Sequence, residues 1–168
     1  MSDAPRPWMN KVVPIESIDA GSEVDSEEIR ALCDEAAEYL KGFSWCGGIE
    51  ERFLGIGIPG LLGVFLFRIA PARSDVDPWV WVITGDLPPA YITTENAPNP
   101  ACALDAYVGA MESWVRAVRE GRSVKDEIPV GAPPTAPYAD ALESRLKILD
   151  QHVLPRYRID LSEVGRKG

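Results

Sequence analysis

At 168 residues the chain suits one domain with one core, and 46% apolar residues is too many for a disordered chain. A formal charge of −9 repels phosphate backbones, so nucleic acid is not an expected partner. That charge is concentrated: Glu16 to Glu38 holds nine acidic residues against one base, Arg30, and the remainder is nearly neutral.

The most apolar stretch, Leu61 to Ala70, is about half the roughly 20 residues a spanning helix needs, so no membrane association is expected. The opening Met-Ser-Asp-Ala-Pro-Arg-Pro-Trp lacks an apolar core and a cleavage site of the secretory kind, which predicts a cytoplasmic protein. Three widely spaced cysteines, Cys33, Cys46 and Cys102, form no CxxC pair, so neither a zinc site nor a disulfide framework is indicated. Cys33 and Cys102 fall in helical patterns and read as small core residues.

Residues 1–24 mix proline, lysine and short apolar patches, and read as an N-terminal arm or edge segment. A helix is predicted over 26–41, capped by Asp25 or Ser26, with Ile29, Leu32, Cys33, Ala36 and Leu40 at helical spacing and Gly42 as its stop. Four strands follow. Arg52–Ile58 ends at Pro59-Gly60, and Gly63–Ile69 is aromatic and β-branched. Trp79–Thr84 is apolar enough for burial on both faces, and Ala90–Thr94 returns after a Gly85–Pro89 turn. Connections this short favour antiparallel pairing. Asn99-Pro100 then caps a helix with Leu104, Tyr107, Val108, Met111, Val115 and Val118 on one face and Gly121 past its end. After a proline-rich connector, a last helix carries Leu142, Leu146, Leu149 and Val153 and stops before Pro155.

The expected fold is therefore α+β: an N-terminal helix, a four-stranded mainly antiparallel sheet, and two C-terminal helices packed on one sheet face. One domain is expected over 25–155, with a basic, mobile tail at 156–168. Covering one face leaves the other, or an edge strand, for binding.

Gly55-Ile56-Gly57-Ile58-Pro59-Gly60 is a literal G-x-G-x-x-G, with Asp75 and Asp77 about twenty residues on. Dinucleotide binding needs a helix opening at those glycines, whose amides hold pyrophosphate. Charged residues precede the motif, and Leu61–Ile69 lacks a polar helical face. Glycines in a bent strand account for the pattern, and no cofactor is expected.

Trp45-Cys46-Gly47-Gly48 offers a thiol on a glycine turn, but a catalytic cysteine needs a base, and the single histidine, His152, lies far along the chain. One histidine also forbids a His-rich metal triad, and the acidic cluster lacks a calcium loop, so no metal is expected. For acid–base work, Asp86, Tyr91 and Glu95 flank the last sheet turn, and Glu50 and Glu51 open the sheet. Asp86 is more simply a turn residue bonded to its own backbone, and no catalytic residue is assigned. Trp79 and Trp81 point to the same strand face. They read as core with Tyr107 and Trp114, or, with Asp86 and Tyr91, as the wall of a pocket.

The segment Trp79-Val80-Trp81-Val82-Ile83-Thr84-Gly85-Asp86-Leu87-Pro88-Pro89-Ala90-Tyr91, followed by Asn99-Pro100 and the helix through Trp114, resembles a group of small bacterial cytoplasmic proteins of unknown function. The resemblance covers about residues 79–154. The compact acidic character is similar to that of immunity proteins that neutralise toxins of competing bacteria. Neither likeness transfers a functional residue. The expectation is a non-enzymatic binding protein whose Glu27, Asp34, Glu35 and Glu38 meet a basic protein partner. The alternative is a small-molecule domain or minor enzyme with a pocket near Trp81, Asp86 and Tyr91. A homodimer through the sheet edge or the last helix is a third arrangement.

Overall fold

The computed structural model describes residues 6–163. In chain order these form β1 (Val13–Pro14), α1 (Glu23–Lys41), β2 (Cys46–Ile58), β3 (Leu62–Pro71), β4 (Trp79–Gly85), β5 (Ala90–Thr93), α2 (Pro100–Arg119), α3 (Ala136–Ile148) and a short α4 (Arg158–Leu161). The strands make one sheet in the order β1-β2-β3-β4-β5, with every neighbouring pair antiparallel. The molecule is thus α+β with an antiparallel meander, as the short connections predicted. No helix among the described residues is long and apolar enough to cross a membrane.

Alternation along β3 and β4 divides the core in two. Phe65, Phe67, Val80 and Val82 point to one face and pack with Ile29, Cys33, Ala36 and Leu40 of α1. Val64, Leu66, Trp81 and Ile83 point to the other and pack with Leu104, Tyr107, Met111 and Trp114 of α2 and with Leu142 and Leu146 of α3. Side chains alternate across a strand, so one register serves both layers. The continuous apolarity of Trp79–Thr84 is explained: Val80 to Thr84 are all buried.

This layering corrects the expectation that one face stays open. The apolar stripe of α1 needs a partner surface, and the face of the sheet opposite α2 and α3 supplies it. The strand number is corrected too. β1 pairs Val13 with Leu54 and Pro14 with Phe53, giving a fifth strand at the edge. Two residues, one a proline, are too few to show strand periodicity, and proline is tolerated at an edge because its missing N–H faces away from the ladder.

β2 begins at Cys46, not Arg52, so Cys46-Gly47-Gly48 is strand rather than turn. A Cβ on Gly47 would come within 2.7 Å of the Ala70 carbonyl oxygen, so the two chains meet there only because the residue is glycine. The pairing of β2 with β3 slips at Gly55, between Leu54 and Ile56. A Cβ at Gly55 would stand 2.6 Å from Cγ of Pro100, the first residue of α2. Gly60, at φ +81°, completes the tight turn that follows Pro59, with the Leu61 N–H donating to the Ile58 carbonyl at 2.9 Å. β3 starts directly after that turn, so no helix opens at the glycines, as the bent-strand reading predicted.

The helix ends follow their caps. Ser22, not Asp25 or Ser26, caps α1, its Oγ accepting from the Asp25 N–H at 3.0 Å. Ser26 lies one turn inside and accepts from the Ala20 N–H at 3.1 Å. Asn99 caps α2 by accepting from the Cys102 N–H at 2.9 Å, with Pro100 behind it. Gly121, at φ +69°, closes α2, donating to Val118 while Arg122 donates to Ala117.

Past α3 the chain does not stop before Pro155. A π-helical turn over Leu149–Val153 and a 3-10 turn over Leu154–Tyr157 lead into α4. The tail expected from residue 156 is therefore helical through Leu161. Lys11 bonds Asp160, and the Asn99 amide donates to the Asp160 carbonyl at 3.0 Å. Residues 164–168 of that tail, and 1–5 of the N-terminal arm, lie outside the described residues.

Candidate binding surfaces

α1 presents its acidic residues away from the core because its apolar stripe fixes the rotation. Glu27, Asp34, Glu35 and Glu38 are all exposed. At about 100° per residue, 27, 34 and 38 fall within roughly 40° of one another and 35 lies beside them. Part of this charge is met internally. Arg52 of β2 donates to Asp34 at 3.0 Å and Lys41 to Glu38 at 3.1 Å. Exposed pairs of this kind are worth about 0–1 kcal/mol, so they trim the local potential without locking the side chains.

A second surface lies where β5 ends the sheet. Val80 faces Thr93 and Val82 faces Tyr91, so Tyr91 and Thr93 stand on the side of α1. Tyr91 is 37% exposed and meets Trp45 at 5.0 Å and Phe43 at 5.3 Å between ring centroids. Phe43 stacks on Trp45 at 5.0 Å and packs against Tyr39 of α1 at 5.1 Å. Such pairs add about 0.5–1.5 kcal/mol each beyond the area they bury, so the rings hold one another in place.

Beside this cluster runs a cleft of about 510 Å³. Trp45, Trp79 and Tyr91 wall it, and Asp75, Asp77 and Glu95 stand along it with Arg73. Asp77 fixes its shape, accepting from the Trp79 N–H at 2.9 Å and from the Thr94 hydroxyl at 3.3 Å. Arg73 pairs with Asp75 at 3.2 Å.

The residues expected to form one pocket are not brought together. Trp81 is wholly buried on the opposite side of the sheet from Tyr91, its indole N–H donating to the Ala97 carbonyl at 3.0 Å. Trp79 points the same way along β4 and touches Trp8 at 5.7 Å between centroids, yet at the strand's start it also reaches the cleft. Asp86 lies past the other end of β4. It pairs with Arg145 of α3 at 3.1 Å beside a separate hollow of about 370 Å³. The Asp86 carboxylate thus ties to α3, where a bond to its own turn backbone was expected.

The other candidates fall apart in the same way. Cys46 packs with the α1 side of the core, donating weakly to the Gly48 carbonyl at 3.8 Å. His152 is exposed on the turn whose Leu149 and Val153 belong to the α2 side, so the sheet separates thiol from imidazole. Burial raises Cys33 to about 11 and also pushes Cys102 upward, as expected of packed thiols. Glu50 and Glu51 both pair with Arg68, at 3.6 and 2.9 Å. No group of three or more metal-ligating side chains occurs among the described residues.

Sequence reasoning missed Phe43 and Trp45 as site residues. Their signal is two aromatics just beyond the stop of a helix, where packing within α1 cannot account for them. Thr93 and Arg73 gave no such signal. No family model, curated protein or solved structure matches the chain.

Proposed function

We propose that the protein acts by binding, its acidic α1 face meeting a basic protein partner in the manner of a toxin-neutralising immunity protein. The observation that supports this reading is the shared exposure of Glu27, Asp34, Glu35 and Glu38 on one side of a helix whose other side is locked into the core. A rigid row of like charge steers an oppositely charged partner and selects against acidic ones. The aromatic run at the end of α1, Tyr39 to Phe43 to Trp45, supplies contact area of the kind that carries affinity.

The test is a variant with Glu27→Gln, Asp34→Asn, Glu35→Gln and Glu38→Gln together. Because all four side chains are exposed, the fold should survive. A partner captured by the parent chain should bind the variant with an on-rate lower by about tenfold or more, and the parent's own on-rate should fall as salt is raised. Equal, salt-independent association of both chains would remove the electrostatic reading.

A further inference from the structure

The cleft at the β5 edge has a composition that neither core packing nor the α1 surface explains. Trp45 and Tyr91 line it from the α1 side of the sheet, Trp79 joins them at its edge from the start of β4, and Val76 and Val80 are its apolar lining. Asp75, Asp77 and Glu95 line it with one basic residue, Arg73, which pairs with Asp75. The hydrogen bonds that Asp77 accepts come from neutral donors, a backbone N–H and a hydroxyl, and leave its charge in place. An anion is repelled here. A neutral apolar ligand would strip water from the carboxylates without replacing it.

A cation suits both parts of the wall. The face of an aromatic ring is its negative region, and carboxylates beside it deepen the same potential. The valines demand that the cation carry an apolar stem. The rings are also held in advance: Tyr91 is fixed by Phe43 and Trp45, and the Trp79 ring packs on Trp8 at 5.7 Å. A cage that needs no rearrangement loses little free energy when it is filled.

We propose that this cleft binds an organic cation, an alkylammonium or guanidinium group on an apolar stem, held against Trp45 and Tyr91 with Trp79 at the edge and carboxylates at the rim. The site does not depend on a partner for α1, and either can hold without the other. The cation can come from a free amine or from a lysine or arginine side chain. The chemistry of recognition is the same.

The experiment follows the indole N–H resonances of Trp45 and Trp79 in the full-length chain during titration. The probes are n-butylammonium, n-butylguanidinium, n-butanol as the neutral control, and a capped Gly-Lys-Gly peptide. Saturable shifts at both indoles with the cations and none with butanol are expected. Trp45→Leu should weaken the cations by about 2- to 30-fold, the range of one ring–cation contact. Asp75→Asn with Glu95→Gln changes only exposed side chains, so it keeps the test valid should Trp45→Leu fold poorly. It should weaken the cations and flatten their salt dependence. Tighter binding of the peptide than of butylammonium assigns the cation to a protein partner, and the reverse assigns it to a free amine. Linear, unsaturable shifts with the cations, equal response to butanol, or full binding by the double carboxylate variant would each overturn the proposal.

Discussion

Trp8 is 4% exposed and packs between Trp79 and Trp81, yet its indole N–H has no hydrogen-bond partner, alone in this respect among the buried side-chain polar atoms of the described residues. The ring therefore contributes through area and loses part of that gain to an unsatisfied donor. Trp8→Ala should cost about 3–5 kcal/mol in chemical denaturation, because it opens a cavity against two other indoles. Trp8→Phe keeps a ring and deletes the stranded N–H, and should cost much less, under about 1.5 kcal/mol. Equal losses for the two variants would show that the donor is satisfied. Trp81 and Tyr107 behave differently, since each buried polar tip has a partner, the Ala97 carbonyl at 3.0 Å and the Pro88 carbonyl at 2.6 Å. Sequence alone marked Tyr107 as core and Trp81 as either core or pocket wall, and both are core. It could not say which buried tryptophan lacks a partner, because that depends on where a distant carbonyl falls.

Between elements, Gly55 sets how closely α2 approaches β2. Gly55→Ala would drive a methyl into Pro100 and against the Val64 carbonyl, 3.2 Å away. The expected cost is about 1–3 kcal/mol, read as a lower denaturation midpoint, with the sheet signal retained in circular dichroism. On the other side of α2, Glu112 faces α3 beside a hollow of about 360 Å³. Burial first, and then the charge of Asp150, raises its pKa above the ordinary 4.5. A carboxyl with a raised folded pKa holds its proton more tightly when folded. Its favourable contribution is thus complete at low pH and is lost as pH climbs from 4.5 through the raised value. Glu112→Gln should remove that pH dependence and raise the melting temperature slightly at pH 7, with no gain at pH 4; an unchanged profile would sink the argument.

The elements that announced themselves by an apolar stripe and a stop, α1 and α2, were legible to within a few residues. β1 and the first part of β2 were not, because Val-Pro and Cys-Gly-Gly are held by tertiary partners and not by their own propensity. The same limit hid the cleft. Tyr91 and Trp79 were visible as candidates, but their assembly with Trp45 depends on the strand order and on where the chain leaves α1.

At the scale of the molecule, two helical layers enclose a sheet whose spatial order repeats the order of the chain. From β2 to β5 each strand finds its neighbour across a short connection, which keeps the entropy of loop closure small. The join between Lys11 and Asp160, 149 residues apart, is the opposite case. A native-state hydrogen-exchange experiment should rank the two: amides of β3 and β4 protected to the level of global unfolding, those of residues 6–14 and 154–163 released by smaller openings. Uniform protection throughout would contradict this.

That distant join carries a kinetic consequence. A meander built from neighbours has a low contact order for a sheet protein and should collapse early around the β2–β3 hairpin, well before the two chain extremities meet over the cap of α2. Asn99 would then serve as the point where assembly finishes. Its Oδ1 starts a helix early, and its Nδ2 waits for the Asp160 carbonyl to arrive. Asp160→Ala, which deletes the carboxylate bonded by Lys11 and leaves the main-chain carbonyl that Asn99 reaches, should accordingly speed unfolding while leaving the refolding rate almost untouched.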